Sequence, residues 1–170
     1  MSQALRTTLF AVFVALLSAA ALVAMARPAQ AAGSAEVRFV EPERFSDAGR
    51  DPFDREQALA SLRVHLNQLA QRLPDGQRLR IEVLDLDLAG EQILRRGSEV
   101  RVMRGAADWP QIRLRWTLEQ GGVALKSGED RLSDLGYLSG RTAPSSSDGA
   151  FPHERRLLTQ WFRAQFEGAR

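Results

Sequence analysis

The sequence predicts an α+β domain in which two helices pack on one face of a largely antiparallel sheet of four to five strands. Three observations support this prediction. Several segments alternate polar and apolar residues, as half-buried strands do, and two others repeat apolar residues at steps of three and four, as amphipathic helices do. Glycine-containing turns are placed to join strands as hairpins. The predicted order of elements is β-α-β-β-β-β-α, and such an order favours helices layered on one side of the sheet.

The first strand and the first helix have distinct signals. Alternation over 36–40 predicts a strand that stops before Pro42. Asp51 and Pro52 are typical of the cap and the first position of a helix. The helix carries one apolar stripe, which consists of Leu59, Leu62, Leu66, Leu69 and Leu73. Because Pro74-Asp75-Gly76 is a turn sequence, the helix is expected to end there.

The second strand, 78–88, changes phase along its length. Its apolar residues are odd-numbered as far as Val83 and even-numbered from Leu84 onwards. Since successive side chains point to opposite faces of a sheet, this switch predicts either a β-bulge or a change of the buried face. Gly90 marks the end of the strand.

The remaining elements complete the predicted order. A short strand over 100–103 precedes a loop, and the strand 112–119 shows the clearest alternation in the chain. Gly121-Gly122 predicts a hairpin turn to a partner strand that begins at Val123. A polar loop, 140–152, is expected to be flexible, and Pro152 opens a last helix with a wide apolar face formed by Leu157, Leu158, Trp161, Phe162 and Phe166.

The N-terminal segment has the three-part order of a secretory signal peptide. Arg6 precedes an apolar run over 9–26, and Ala29-Gln30-Ala31 supplies the small residues of a cleavage site. Cleavage after Ala31 would leave a single domain of 139 residues, 32–170, in the periplasm or outside the cell. An uncleaved segment that tethers the domain to the membrane is the alternative, because about 18 apolar residues can just span a bilayer.

Charge and composition exclude several classes of function. The chain has 23 basic residues, of which Arg6 and Arg27 lie before the predicted cleavage point, so the domain carries 21 basic and 21 acidic residues. A neutral, arginine-rich domain has no long-range attraction for nucleic acid. With no cysteine, a disulfide scaffold, a thiol nucleophile and a lipid-anchored cysteine are also excluded.

Asp85 and Asp87 are the strongest candidates for a functional site, because residues two apart on a strand share a face and their carboxylates could lie close together. With Gly90 they form a fragment of a calcium loop that lacks its remaining oxygen ligands. We therefore favour the interpretation that the two carboxylates pair with arginines across the sheet, such as Arg113 or Arg115, over a metal site.

Three further residues are binding candidates. Arg113 and Arg115 share one strand face and could receive phosphate or carboxylate groups, although neighbouring acidic residues favour a mixed surface of ion pairs. Trp109 is the aromatic residue that the pattern places in a loop instead of the core.

No catalytic group is predicted. His65 and His153 lack any metal-ligand spacing, and we expect His65 to be a partly buried structural residue and His153 to be neutral. Lys126 is expected to be a solvated surface lysine, and no nucleophile elbow or phosphate loop occurs. Neither a metal nor a cofactor is expected.

Three segments together resemble the exported bacterial proteins labelled domain of unknown function 3016. These are Val37-Arg38-Phe39-Val40-Glu41-Pro42 with the residues up to Ala48, then Asp85-Leu86-Asp87-Leu88-Ala89-Gly90, and finally His153-Glu154-Arg155-Arg156-Leu157-Leu158 with Trp161-Phe162. The resemblance implies an exported protein with a single domain. It carries over no activity, ligand or catalytic residue.

The first functional hypothesis is a non-catalytic periplasmic module that binds an envelope protein or an anionic envelope component. It would use the open sheet face or the loops around Trp109 and 140–152. A metal-dependent or hydrolytic enzyme built on Asp85 and Asp87 is the second hypothesis, and a membrane-tethered structural domain is the third. Convergence of the two aspartates with a histidine in one concave site would favour the enzyme.

Overall fold

A computed structural model describes residues 32–96, 98–105, 107–139 and 149–168. The predicted signal peptide, and the predicted loop as far as residue 148, lie outside these ranges. Within them, no helix is both long enough and apolar enough to cross a membrane.

The chain folds as an α+β protein, which confirms the predicted class. A 3-10 turn, Pro42–Arg44, follows the first strand, and a π-helical turn, Arg163–Glu167, extends the last helix. The helices and strands, in chain order, are β1 (Ser34–Phe39), α1 (Pro52–Ala70), β2 (Gln77–Asp87), β3 (Glu91–Arg95), β4 (Ser98–Val102), β5 (Gln111–Gln120), β6 (Val123–Ser133) and α2 (Pro152–Phe162).

The main sheet has four strands in the order β1-β2-β5-β6. β1 runs parallel to β2, whereas the other two pairings are antiparallel. The sheet is therefore mixed, because α1 carries the chain back so that β2 starts at the same end as β1. β3 and β4 form a separate two-stranded hairpin. The short strand predicted over 100–103 belongs to this hairpin, and its partner β3 was not predicted.

Both helices cover the same face of the sheet. The leucine stripe of α1 and the apolar face of α2 meet the inward residues of β2 and β5 in one continuous core. The helix starts follow the predicted chemistry: the Asp51 carboxylate accepts a hydrogen bond from the Asp54 N–H at 2.8 Å, and Pro52 occupies the first turn. Gly121 and Gly122 both have positive φ in the predicted hairpin turn.

A buried tryptophan pair joins the sheet to α2. Trp116 of β5 and Trp161 of α2 meet edge to face, with ring centroids 6.2 Å apart. Asp130 of β6 accepts a hydrogen bond from both indole N–H groups, at 2.8 Å from Trp116 and 2.9 Å from Trp161. Gly128 lies under the Trp116 ring, where an added Cβ would stand 3.1 Å from a ring carbon. One carboxylate thus satisfies two buried donors.

Replacement of Asp130 by alanine should destabilise the domain by about 2 to 4 kcal/mol, because two buried indole N–H groups lose their acceptor. Asp130→Asn keeps an acceptor oxygen in the same position and should retain most of the stability. Urea denaturation measures both free energies of unfolding. Equal losses in the two variants would contradict this role for the carboxylate.

Candidate functional site

A β-bulge in β2 decides where the two candidate aspartates lie. Val83 is the register partner of Leu114, and the next paired residue, Asp85, is the partner of Arg113. Leu84 is therefore the extra residue of a bulge. This confirms that the phase switch marks an irregularity, and it keeps one face buried on both sides of it. The two aspartates consequently lie on the face of the sheet opposite the helices, which we call the open face.

Asp85 holds the loop that follows β1. Its Oδ1 accepts hydrogen bonds from the backbone N–H of Ser46 at 2.9 Å and of Leu86 at 3.0 Å, and its Oδ2 accepts one from the Ser46 hydroxyl at 2.9 Å. Both carboxylate oxygens are therefore engaged. The expected pairing of Asp85 with an arginine is replaced by this contact with Ser46, even though Arg113 is its register partner.

Asp87 lies beside a second carboxylate. It forms a parallel bridge with Asp47, and its Oδ2 accepts a hydrogen bond from the Gln111 side chain at 3.2 Å. Burial raises the pKa of Asp87, and the charges of Asp47 and Asp85 raise it further. Among the described residues, Asp87 is held by Gln111 and forms no ion pair with an arginine.

Asp47, Arg101 and Glu154 form a polar junction that the sequence did not reveal. The Arg101 guanidinium contacts Asp47 at 2.8 Å and donates to the Gly90 carbonyl at 2.8 Å. The Glu154 Oε1 accepts the Ala89 N–H at 2.6 Å, and the Glu154 residue is only 2% exposed. These contacts fasten the β3–β4 hairpin, the loop after β1 and the start of α2 to the end of β2.

Arg115 belongs to a row of alternating charge that crosses all four strands of the open face. Arg38 contacts Glu82 at 3.5 Å, Glu82 contacts Arg115 at 3.3 Å, and Arg115 contacts Glu129 at 3.0 Å. This row is the mixed surface of ion pairs that the neighbouring acidic residues indicated. Arg115 is thus held by its own domain.

The next row along the open face breaks this alternation. Asp85, Arg113 and Arg131 are register neighbours on β2, β5 and β6, so two arginines stand directly opposite each other. Among the described residues, Arg113 forms one ion pair, with Glu129 at 3.7 Å, and Arg131 is exposed and forms none. Like charges placed opposite each other in a sheet are unfavourable.

A groove of about 470 Å³ lies beside Arg113 and does not reach Arg131. Asp85, Arg113 and Arg115 line it together with Arg44 and Ser46. The structure thus brings three of the five predicted residues into one concavity. No histidine lines the groove.

The other predicted residues lie elsewhere. Trp109 is half-buried in the β4–β5 connection, where the neighbouring Asp108 carboxylate accepts hydrogen bonds from the Gly105 N–H at 2.8 Å and the Tyr137 hydroxyl at 2.8 Å. Trp109 does not line the groove beside Arg113. Lys126 is not simply solvated, because its ammonium group contacts Gln165 at 3.0 Å.

Both histidines occupy packed positions. His65 Nε2 is 2.9 Å from the Arg155 carbonyl and joins α1 to α2, while the His153 ring meets Tyr137 edge to face. Burial is the main cause that lowers the pKa of both histidines, so both are neutral near pH 7. Among the described residues, no three His, Cys, Asp or Glu side chains are arranged to hold a metal ion.

A family model described as "Protein of unknown function (DUF3016)" matches residues 33–164. The chain belongs to this family. The match spans nearly the whole predicted domain and confirms the resemblance. No curated protein matches the sequence.

The buried carboxyl group of Glu154 should leave a measurable pH signature. Burial raises its pKa above the ordinary 4.5, so the folded state binds the proton more tightly than the unfolded state. The contribution of Glu154 to stability is therefore greatest below about pH 4.5 and is lost as the pH rises through the folded-state pKa. Glu154→Gln keeps an acceptor for Ala89 and cannot ionise, so its stability relative to wild type should be higher at pH 8 than at pH 4.

Thermal melts of both proteins from pH 4 to pH 8 test this expectation. Glu56→Gln, on the exposed side of α1, is the matched control and should give a smaller dependence on pH. A constant difference between Glu154→Gln and wild type across this range would show that the carboxyl group is not desolvated.

Proposed function

We propose that the protein is an exported, non-catalytic binding module of the cell envelope, and that it binds an anionic group on its open face between Arg113 and Arg131. The ligand group is a phosphate or a carboxylate of an envelope component. The proposal rests on Arg113 and Arg131, because at these two residues the alternation of positive and negative side chains on the described open face is interrupted.

The energetics of the arginine row support an anionic ligand. Arg113 and Arg131 are register partners on one face, and like charges in such positions repel each other. Glu129 contacts Arg113 at only 3.7 Å, so an anion between the two arginines would relieve that repulsion while accepting charge-assisted hydrogen bonds. Arg44 and the Ser46 hydroxyl, on the rim of the adjoining groove, could contact the rest of the ligand.

The state of the aspartates favours binding over hydrolysis. A general base or a nucleophile needs a carboxylate oxygen that can reach the substrate, whereas both oxygens of Asp85 accept hydrogen bonds from its own domain. The histidines that would complete a catalytic group are packed against α2 and Tyr137.

The proposal of export depends on the N-terminal segment alone. A short basic start, an apolar run and Ala29-Gln30-Ala31 favour cleavage by signal peptidase. A neutral domain that acts in the envelope also needs local ion recognition, because it has no long-range attraction for anionic surfaces.

One protein preparation tests both the proposed export and the proposed anion site. Protein purified from the periplasmic fraction should begin at Ala32 by mass spectrometry. Titration with inorganic phosphate, and separately with glutarate, should give saturable NMR shifts of the Arg113 and Arg131 Nε–H signals. Arg113→Gln combined with Arg131→Gln should weaken binding at least about tenfold, since each tenfold is only about 1.4 kcal/mol.

A double variant with the same loss of charge is the control. Arg78 lies at the far end of the open face and Arg95 lies in β3, and both are exposed, so Arg78→Gln with Arg95→Gln should bind as wild type does. Equal weakening in the control, or shifts that never saturate, would refute the anion site. A mature protein that starts at Met1 or Ser2 would refute cleavage and favour the tethered alternative.

A further inference from the structure

The outer edge of β6 is open along the described chain. β6 is eleven residues long, stands last in the sheet order and pairs only with β5. In an antiparallel pair about half of the backbone N–H and C=O groups point away from the partner. About five of each therefore face outwards along β6. From Lys126 to Ser133 the register with β5 is unbroken, so this half of the edge is regular.

Natural proteins usually protect such an edge with charged side chains. On β6, however, most of the charged side chains form contacts within the domain. Lys126 contacts Gln165, and Asp130 accepts the two indole hydrogen bonds. Glu129 pairs with Arg115 at 3.0 Å. Arg131 remains, exposed and without an ion pair among the described residues.

A groove runs beside this edge on the helix side of the sheet. It has a volume of about 370 Å³ and lies between β6 and α2 with its π-helical extension. Leu132, Leu157, Trp161 and Ala164 supply its apolar lining, and the polar side chains of Gln160 and Gln165 lie among them. An open strand edge next to a strand–helix groove is an arrangement that can bind an extended peptide, because the edge supplies backbone hydrogen bonds and the groove receives side chains.

We propose that the edge of β6 between Gly128 and Ser133 binds an extended peptide segment, which adds to the sheet as a fifth strand. Residues directly opposite each other on adjacent strands share a face. The peptide residue opposite Arg131 therefore lies on the open face and should be acidic. The residues on either side of it face the groove and should be apolar.

The free edge of β1 is a weaker candidate for the same role. β1 has six residues, and the groove on its side, of about 370 Å³, is lined largely by charged residues such as Glu36, Arg38 and Arg80. The peptide site goes beyond the proposed anion site and shares only Arg131 with it, so the two can fail separately.

A random nonapeptide library displayed on phage, panned against the purified protein, tests the proposal. Enriched sequences should contain an acidic residue flanked by apolar ones. A synthetic copy of an enriched peptide should slow hydrogen exchange of backbone amides within Gly128–Ser133. N-methylation of alternate backbone nitrogens in the peptide should weaken binding at least about tenfold, since it removes the strand hydrogen bonds.

Two matched variants locate the site. Ala164→Trp fills the groove from an exposed position, and it should abolish binding. Arg163→Trp adds the same bulk at an exposed residue that does not line the groove, and it should bind as wild type does. Arg131→Glu should reverse the preference from an acidic to a basic central residue.

Other outcomes would overturn the proposal. One is that the library enriches no more peptides on the wild-type protein than on the Ala164→Trp variant. Another is that the peptide protects amides of β1 instead of β6 from exchange. A third is that N-methylation of the peptide leaves its binding unchanged. A dimer in analytical ultracentrifugation that Ala164→Trp dissociates would also overturn it, because the occupant of the edge would then be a second copy of the chain.

Discussion

The apolar residues of β2 and β5 must face α1 and α2 throughout these two strands, and the rest of the structure depends on this constraint. Each of the two antiparallel pairings of the main sheet contains a bulge. Leu84 is the extra residue in β2 and Leu125 is the extra residue in β6. Each bulge moves all later side chains of its strand to the other face.

The two bulges together produce the surface to which we assign a function. The first places Asp85 on the open face, where Ser46 rather than Arg113 occupies its oxygens. The second places Asp130 inside, where it binds both tryptophans, and leaves Arg131 outside opposite Arg113. The exposed Arg131 and the weakly protected edge of β6 therefore have the same origin, because Asp130, which would otherwise stand opposite Arg113, is turned into the core.

The sequence predicts the features that the periodicity of apolar residues reveals, but it does not predict those that depend on how the strands pair. The class, both helices and the irregularity in β2 follow from the periodicity of apolar residues. Asp85, Arg113 and Arg115 line one groove, but the predicted pairing of Asp85 with an arginine is not what the structure shows. The bulge in β6 was not visible, because that strand has too few apolar residues to show a phase. Extending the register of the Gly121-Gly122 turn would have placed Asp130 opposite Arg113. The Asp47, Arg101 and Glu154 junction joins distant segments, so no local pattern contained it.

Cross-strand nuclear Overhauser effects between β5 and β6 test the central claim, which is that the Leu125 bulge sets the charges of the open face. The account predicts contacts between the backbone protons of Arg113 and Arg131 and between those of Trp116 and Gly128. Contacts of Arg113 with Asp130 and of Trp116 with Ser127 would contradict it. Asp130 would then neutralise Arg113, and the reason for an anion site on this face would disappear.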